Sequence, residues 1–211
     1  MQLTELSNTQ AIRHVWFSPR EVFRYLKTAN DNQHVIALLI LTGISRAFDR
    51  AVMQDMGDRL GLTEILLVCT LGGALFGWMY IYIYGYLLRW TGKWLHATTV
   101  DIQTMVRMLA FAMLPTVASL TLLIPQIIIY GHEIFKADGD LLTGGIFNNL
   151  IFYSTVIAEV GLGIWTVILT VVGISETQEL STGKAILNMI LPVLVIMVPL
   201  IAIALLISTF S

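Results

Sequence analysis

The sequence is short of charged residues and almost free of cysteine. Of its 211 residues, 12% are charged and 56% are hydrophobic, whereas a soluble domain carries about 25% charged residues. This composition excludes an ordinary soluble domain and predicts that lipid surrounds most of the chain. The single cysteine, Cys69, excludes a disulfide within the chain. The formal net charge of −2 argues against binding of nucleic acid.

The N-terminus lacks the apolar run of a cleaved signal peptide. Its early residues include Glu5, Arg13, Arg20 and Glu21, and charges at these positions do not fit the apolar region that precedes a cleavage site. The first membrane span is therefore expected to direct the chain to the membrane.

The motifs of enzymes that work inside membranes are also missing. The sequence has no His-Glu-x-x-His, no paired aspartates within predicted helices, no Gly-x-Ser-x-Gly and no Glu-Glu-x-x-x-Arg. The segment 131–145 holds His132, Glu133, Asp138 and Asp140, but their spacing matches no known metal site, so a solvated loop is favoured. We therefore expect a protein that is not an enzyme and that uses neither a metal nor a cofactor.

Long apolar stretches dominate the rest of the chain. Five of them cover residues 34–53, 63–88, 104–130, 146–173 and 185–210. At about 1.5 Å per residue, the stretch 146–173 is long enough to cross a hydrocarbon layer of about 30 Å. We predict an all-α integral membrane protein, a five-helix transmembrane bundle. The first stretch is the weakest, because Arg46 interrupts it and Asp49 and Arg50 follow closely.

Glycine and proline predict how two of these helices pack. Gly73 and Gly77 form a small-xxx-small pair that allows another helix to approach closely. Pro115 and Pro125 lie within the third stretch, and proline removes a backbone donor from a helix. We therefore expect a close helix contact at the two glycines and a kinked third helix.

A short amphipathic helix is predicted ahead of the first span. Ser18-Pro19-Arg20-Glu21 has the pattern of a capping box, with proline at the first helical position. The apolar residues on one side are Val22, Phe23 and Leu26. The basic residues on the other side, expected to contact the membrane surface, are Arg20, Arg24 and Lys27. The pattern is typical of an interfacial helix, and also fits a helix docked on the cytoplasmic end of the bundle.

The fourth stretch contains one ionisable side chain, Glu159, close to the middle of the bilayer. A lone acid at this depth costs about 2.5 to 3.5 kcal/mol on insertion scales, so Glu159 needs a partner or a proton. Arg46 is expected at a similar depth, and a buried Arg46–Glu159 pair is the sharpest structural hypothesis. The alternatives are an Arg46 side chain that extends to the headgroups or pairs with Asp49. Small residues near Glu159 predict a neighbouring helix, namely Ser154, Ala158, Gly161 and Gly163.

The distribution of lysine and arginine predicts the orientation. With the N-terminus in the cytoplasm, the cytoplasmic side carries Arg13, Arg20, Arg24, Lys27, Arg89, Lys93, Arg107 and Lys184. The outer side then carries Arg46, Arg50, Arg59 and Lys136. This bias predicts a cytoplasmic N-terminus and an outer C-terminus. We divide the chain into a cytoplasmic N-terminal segment, residues 1–33, and a five-helix membrane domain, residues 34–211.

Three stretches carry a family resemblance. They are Trp16-Phe17-Ser18-Pro19-Arg20-Glu21-Val22-Phe23, Phe111-Ala112-Met113-Leu114-Pro115, and the run from Trp165 through Gly173-Ile174-Ser175 to Lys184-Ala185-Ile186. Together they resemble the Yip domain family of Ypt-interacting-protein-like membrane proteins. The resemblance implies a five-helix integral membrane protein with a cytosolic N-terminus.

The resemblance also bears on partners. Eukaryotic members look like partners of Rab-type GTPases and carry an Asp-Leu-Tyr-Gly-Pro motif before the first span, which this sequence lacks. A Rab-type GTPase partner is therefore in doubt. The short N-terminus and the Ser-Pro-Arg-Glu-Val-Phe segment are more similar to bacterial members, some of which are linked to transport complexes or toxin resistance. This similarity implies the bacterial cytoplasmic membrane.

Two classes of function remain. The first is a non-enzymatic scaffold or accessory subunit that contacts the lipid bilayer and another membrane protein, or a second copy of itself. The second is a small transporter or channel, in which Glu159 binds a proton or cation and the prolines permit gating. The surroundings of Glu159 distinguish them, because water access and several polar neighbours favour transport.

Overall fold

The computed structural model describes residues 8–29 and 34–210, and no strand occurs among them. The prediction of an all-α fold is confirmed. Residues 1–7 and 30–33 of the predicted N-terminal segment, and residue 211 of the predicted membrane domain, lie outside the described residues. The first helices are α1 (Asn8–His14), α2 (Pro19–Thr28), α3 (Val35–Met53), α4 (Leu62–Leu67) and α5 (Gly73–Trp94). The remaining helices are α6 (Ile102–Ala112), α7 (Leu114–Tyr130), α8 (Ile146–Gln178) and α9 (Thr182–Phe210).

Four of the five expected spans are identified in the described part of the chain. They are Leu62–Trp94, in which a π-helical segment joins α4 to α5, Ile102–Phe135, Ile146–Gln178 and Thr182–Ser208. The first expected span corresponds to α3, which is 19 residues long and is not among these four. Its C-terminal part carries Arg46, Asp49 and Arg50, which makes it more polar than the others.

Helices α3 and α5 cross in close contact at three glycines. A Cβ atom on Gly43 would lie 2.6 Å from the Cα atom of Gly77, and one on Gly73 would lie 2.7 Å from the Cα atom of Ile44. Real Cβ atoms do not approach a backbone this closely, so only glycine fits here. The predicted close contact at Gly73 and Gly77 is confirmed, and its partner is Gly43 of α3.

The third span is divided at Met113, which separates α6 from α7. Pro115 lies in the first turn of α7, where a missing N–H is tolerated, whereas Pro125 lies inside α7. The third helix, predicted to be kinked, is thus interrupted two residues before Pro115. The carbonyl of Thr116 accepts a hydrogen bond from Ser45 Oγ of α3 at 2.9 Å, so a neighbouring helix contacts the chain close to this break.

The largest core lies at one end of the bundle around α6, in which every residue from Thr104 to Ala112 is buried. The apolar side of α2 is part of this core: Val22, Phe23 and Leu26 are at most 1% exposed. Helix α2 begins at Pro19 as predicted, although the Ser18 side chain makes no capping hydrogen bond. The apolar face of α2 is therefore docked on the bundle, as the second interpretation of this helix expected.

Candidate functional site

Glu159 lies in the middle of α8 and pairs with a side chain of α7. Its Oε1 atom accepts a hydrogen bond from Gln126 Nε2 at 2.9 Å. Gln126 directly follows Pro125 inside α7. Both side chains are partly buried. The polar partner that Glu159 was expected to need is thus an amide, and the pair joins α7 to α8.

Arg46 does not meet Glu159. Its Nη2 atom lies 3.8 Å from Met113 Sδ, and its Cζ atom lies 5.8 Å from the centre of the Tyr80 ring, a distance at which a cation and an aromatic face attract. Among the described residues, the ion pairs involve neither Arg46 nor Glu159. The structure therefore does not form the hypothesised pair, because Arg46 is on the exposed side of α3 beside α5, whereas Glu159 is directed at α7.

A row of hydroxyl groups crosses the bundle between α3, α7 and α8. Ser45 Oγ lies 3.4 Å from Ser119 Oγ, and Thr116 Oγ1 lies 3.1 Å from Thr166 Oγ1. Hydroxyl pairs of this kind link helices in an apolar environment. Sequence reasoning missed this row, although serine and threonine inside predicted spans were a signal that could have revealed it.

The basic side of α2 contacts two acidic residues at the C-terminal end of α8. Arg20 Nη1 and Arg24 Nε lie 3.2 Å and 2.7 Å from the two carboxylate oxygens of Glu176. Lys27 Nζ lies 2.5 Å from Glu179 Oε1. The Glu176 side chain is only 10% exposed, whereas those of Arg20 and Arg24 are 58% and 56% exposed. The three predicted membrane-surface residues thus share a contact with α8.

These contacts change the acid–base properties of the groups involved. A hydrogen bond and the nearby charge of Glu176 raise the pKa of Arg24. Hydrogen bonds from Lys27 and then from Thr98 lower the pKa of Glu179. Glu179 ends α8 with a left-handed backbone, φ 55°, which turns the chain towards α9. We call the five residues Arg20, Arg24, Lys27, Glu176 and Glu179 the α2–α8 charge cluster.

A buried arginine closes the C-terminal end of α2. Arg107 of α6 is 3% exposed, and its Nη1 atom donates to the carbonyl of Leu26 at 2.9 Å and to the carbonyl of Ala29. The last carbonyls of a helix have no partner within the helix, and a buried arginine supplies donors for them here. Sequence reasoning counted Arg107 only as a cytoplasmic charge.

Buried amides join α5 to the hairpin of α8 and α9. Asn188 Nδ2 donates to Gln178 Oε1 at 2.6 Å, and Thr91 Oγ1 donates to Asn188 Oδ1 at 2.6 Å. Both amides also donate to the carbonyl of Leu88, each at 3.1 Å. Buried polar groups that bond one another fix the positions of their helices. This end of the bundle is therefore held by a polar network that periodicity does not reveal.

Comparison with known families gives one match. A family model described as the Yip1 domain matches residues 13–203, which includes α2 and reaches into α9. No match was found among curated proteins or among solved structures.

Proposed function

The chain belongs to the Yip1 domain family, and from this premise we propose that it is a non-enzymatic scaffold or accessory subunit of the membrane. Family membership and four apolar helices make it an integral, multi-pass membrane protein. In the proposed role, it binds another membrane protein or a second copy of itself through helix faces that its own fold leaves uncovered. The observation that carries the proposal is the face of α8 that contains Gly161.

This face of α8 is suited to close contact but has no neighbour within the described part of the chain. A Cβ atom added to Gly161 would meet no atom within 4 Å. Ile157, Val160 and Ile164 beside it are 72%, 58% and 58% exposed. Small residues flanked by aliphatic ones allow helices to approach closely in lipid. Gly161 therefore supports contact with another protein rather than packing within this bundle.

Helix α9 adds a second uncovered surface. Only 7% of an apolar 18-residue stretch of this helix is buried within the described structure. Its exposed residues include Val193, Ile196, Met197 and Leu200. Because most of α9 is uncovered, its packing is completed by lipid or by a helix of another protein. This uncovered surface supports the proposed role.

The test is affinity purification from native membranes in mild detergent, with Gly161→Leu as the variant. We expect the variant to fold as the original protein does, because the added side chain enters open space, and to lose its co-purifying partner or its self-association. Gly72→Leu is the matched control, since Gly72 also has no neighbour within 4 Å. Unchanged co-purification with Gly161→Leu would overturn the assignment of this face.

We also propose that α3 is the fifth crossing, with the N-terminus in the cytoplasm of a bacterial cell and the C-terminus outside. Its 19 residues extend over about 28 Å, close to the thickness of the hydrocarbon layer. In this proposal, residues 1–33 stay cytoplasmic and residues 34–211 form the membrane domain. The test uses Cys69→Ser protein with a new cysteine at Thr9 or Ser208. An impermeant reagent should label only Ser208→Cys from outside, whereas equal labelling of both would mean an even number of crossings.

Transport is the second candidate, favoured by one observation, the bond between Gln126 and Glu159. It places a carboxyl group and an amide together within two apolar helices beside Pro125, an arrangement that suits a proton or cation site. The test is a proton-flux measurement in liposomes. Flux that is present in the original protein and absent in Glu159→Gln would favour transport, and no flux in either would favour the scaffold.

A further inference from the structure

Phe17 is a large apolar side chain that the fold leaves outside the core. It lies in the short connection between α1 and α2, and it is 89% exposed. The chain on either side is fixed on the bundle, because Val15 and Val22 are fully buried and Trp16 packs against the same core. The fold therefore holds the aromatic ring of Phe17 away from the protein interior.

The end of α8 places α2 at the level of the lipid headgroups. Helix α8 has 33 residues and extends over about 50 Å, whereas the hydrocarbon layer is about 30 Å thick. Its apolar run ends at Ile174, and the polar residues 175–178 that follow suit the headgroup layer. Arg20 and Arg24 of α2 both form ion pairs with Glu176 in this polar end. The exposed side of α2 is therefore expected at headgroup depth.

The two arginines on this side retain hydrogen-bond donors for a phosphate. Arg20 and Arg24 are 58% and 56% exposed, and each contacts Glu176 through one nitrogen, so the guanidinium groups have further N–H donors. These donors form charge-assisted bonds with phosphate oxygens. Glu21 is exposed on the same helix, and with Glu176 it balances the two positive charges. The surface thus suits the phosphate of any phospholipid and does not depend on an anionic membrane.

We propose that this side of α2 contacts the phospholipid headgroup layer, with Phe17 inserted among the headgroups and Arg20 and Arg24 bound to lipid phosphates. An aromatic ring at the interface and arginines that extend to the headgroups are typical of helices at a membrane surface. Helix α2 then contacts the bundle on one side and lipid on the other. This contact is independent of the proposed contact face of α8.

The test measures the depth of a nitroxide spin label in the full-length protein, reconstituted in nanodiscs of phosphatidylcholine and phosphatidylglycerol. Cys69→Ser removes the native thiol, and Phe17→Cys carries the label at an exposed position, so the variant should fold. Reference labels are Ile157→Cys, 72% exposed in the middle of α8, for lipid, and Arg59→Cys, exposed between α3 and α4, for water. Oxygen concentrates in lipid and a nickel chelate in water. We expect the ratio of oxygen to nickel accessibility at position 17 to exceed that at position 59.

A second label leaves the Phe17 ring in place. Glu21→Cys carries this label one turn further along α2, and the ratio is compared with and without Phe17→Ser. We expect Phe17→Ser to lower the ratio at position 21, because α2 loses its apolar contact with the interface. Met53→Ser, which changes an equally isolated side chain that is 83% exposed at the end of α3, is the matched control and should leave the ratio unchanged.

Three results would overturn the proposal. The first is a ratio at position 17 equal to that at Arg59, which would place Phe17 in water. The second is low accessibility of position 17 to both reagents, which would mean that protein covers Phe17. The third is an unchanged ratio at position 21 after Phe17→Ser, which would show that the ring does not hold α2 at the interface.

Discussion

Arg24 Nε lies 2.7 Å from Glu176 Oε2 and thereby ties the N-terminal helix α2 to the C-terminal end of α8. The same carboxylate also forms an ion pair with Arg20. One largely buried acid therefore binds two exposed cations. This contact, the buried apolar side of α2 and the capping by Arg107 act together. They make α2 an integral part of the bundle end.

Loss of the Glu176 carboxylate should loosen α2. We expect Glu176→Gln to destabilise the docked position by about 1 kcal/mol, because the arginines are largely solvated and exposed ion pairs contribute little. Hydrogen exchange of the amides in 19–28 should accelerate about fivefold. Glu21→Gln is the control, since it removes an equal charge from α2 itself, where Glu21 is exposed and forms none of the ion pairs of the described chain. Equal acceleration in both variants would show that net charge, and not the pair, holds α2.

Acid should weaken the same docking through Glu179. Hydrogen bonds from Lys27 and Thr98 lower the pKa of Glu179 from its ordinary value of 4.5. A carboxyl group whose pKa is lower in the folded state stabilises that state above its unfolded pKa, and the stabilisation is lost as the pH falls through the folded value. The difference in melting temperature between the original protein and Glu179→Gln should be present at pH 7 and shrink as the pH falls below 4.5. A difference that is constant over this range would contradict the prediction.

Two adjacent glycines in the second span should differ in how well they tolerate substitution by alanine. Gly73→Ala places a Cβ atom 2.7 Å from the backbone of α3, whereas Gly72→Ala meets nothing within 4 Å. Overpacking of this kind costs about 1 to 3 kcal/mol. Thermal unfolding in detergent should show a clear loss for Gly73→Ala and no loss for Gly72→Ala. Equal melting temperatures would mean that α3 and α5 do not cross at this point in solution.

Removal of Arg107 should destabilise the junction of α2 and α6. Arg107→Gln leaves the carbonyls of Leu26 and Ala29 without this buried donor, and we expect a loss of about 1 to 3 kcal/mol. Arg59→Gln, at an exposed site, is the control and should unfold as the original protein does. Thermal unfolding and hydrogen exchange of α2 measure the effect. If exchange in α2 is unchanged, Arg107 does not close that helix.

The sequence predicts the helices better than it predicts their contacts. Apolar length and composition account for the four identified spans, Pro19 for the start of α2, and Gly73 with Gly77 for a close crossing. These features are local, because they depend on a helix's own residues. Glu159 is likewise recognisable from its own sequence as a lone acid in a span.

Contacts between distant residues are not recognisable in this way. Arg46 and Glu159 have opposite charge and similar expected depth, yet helix rotation directs Arg46 to Tyr80 and Glu159 to Gln126. The Glu176 carboxylate and the hydroxyl row likewise gain their partners only after the helices pack. A single sequence gives helical periodicity but not the rotation of each helix about its axis.

The bond between Asn188 and Gln178 also bears on how the chain is assembled. The two amides are ten residues apart in sequence. The bond between them therefore satisfies one buried donor and one buried acceptor within the hairpin of α8 and α9. Contacts between residues close in sequence form early, because little chain entropy is lost on closing a short loop. The C-terminal hairpin is therefore suited to enter the bilayer as one unit, and it contacts α5 through Thr91 and the carbonyl of Leu88.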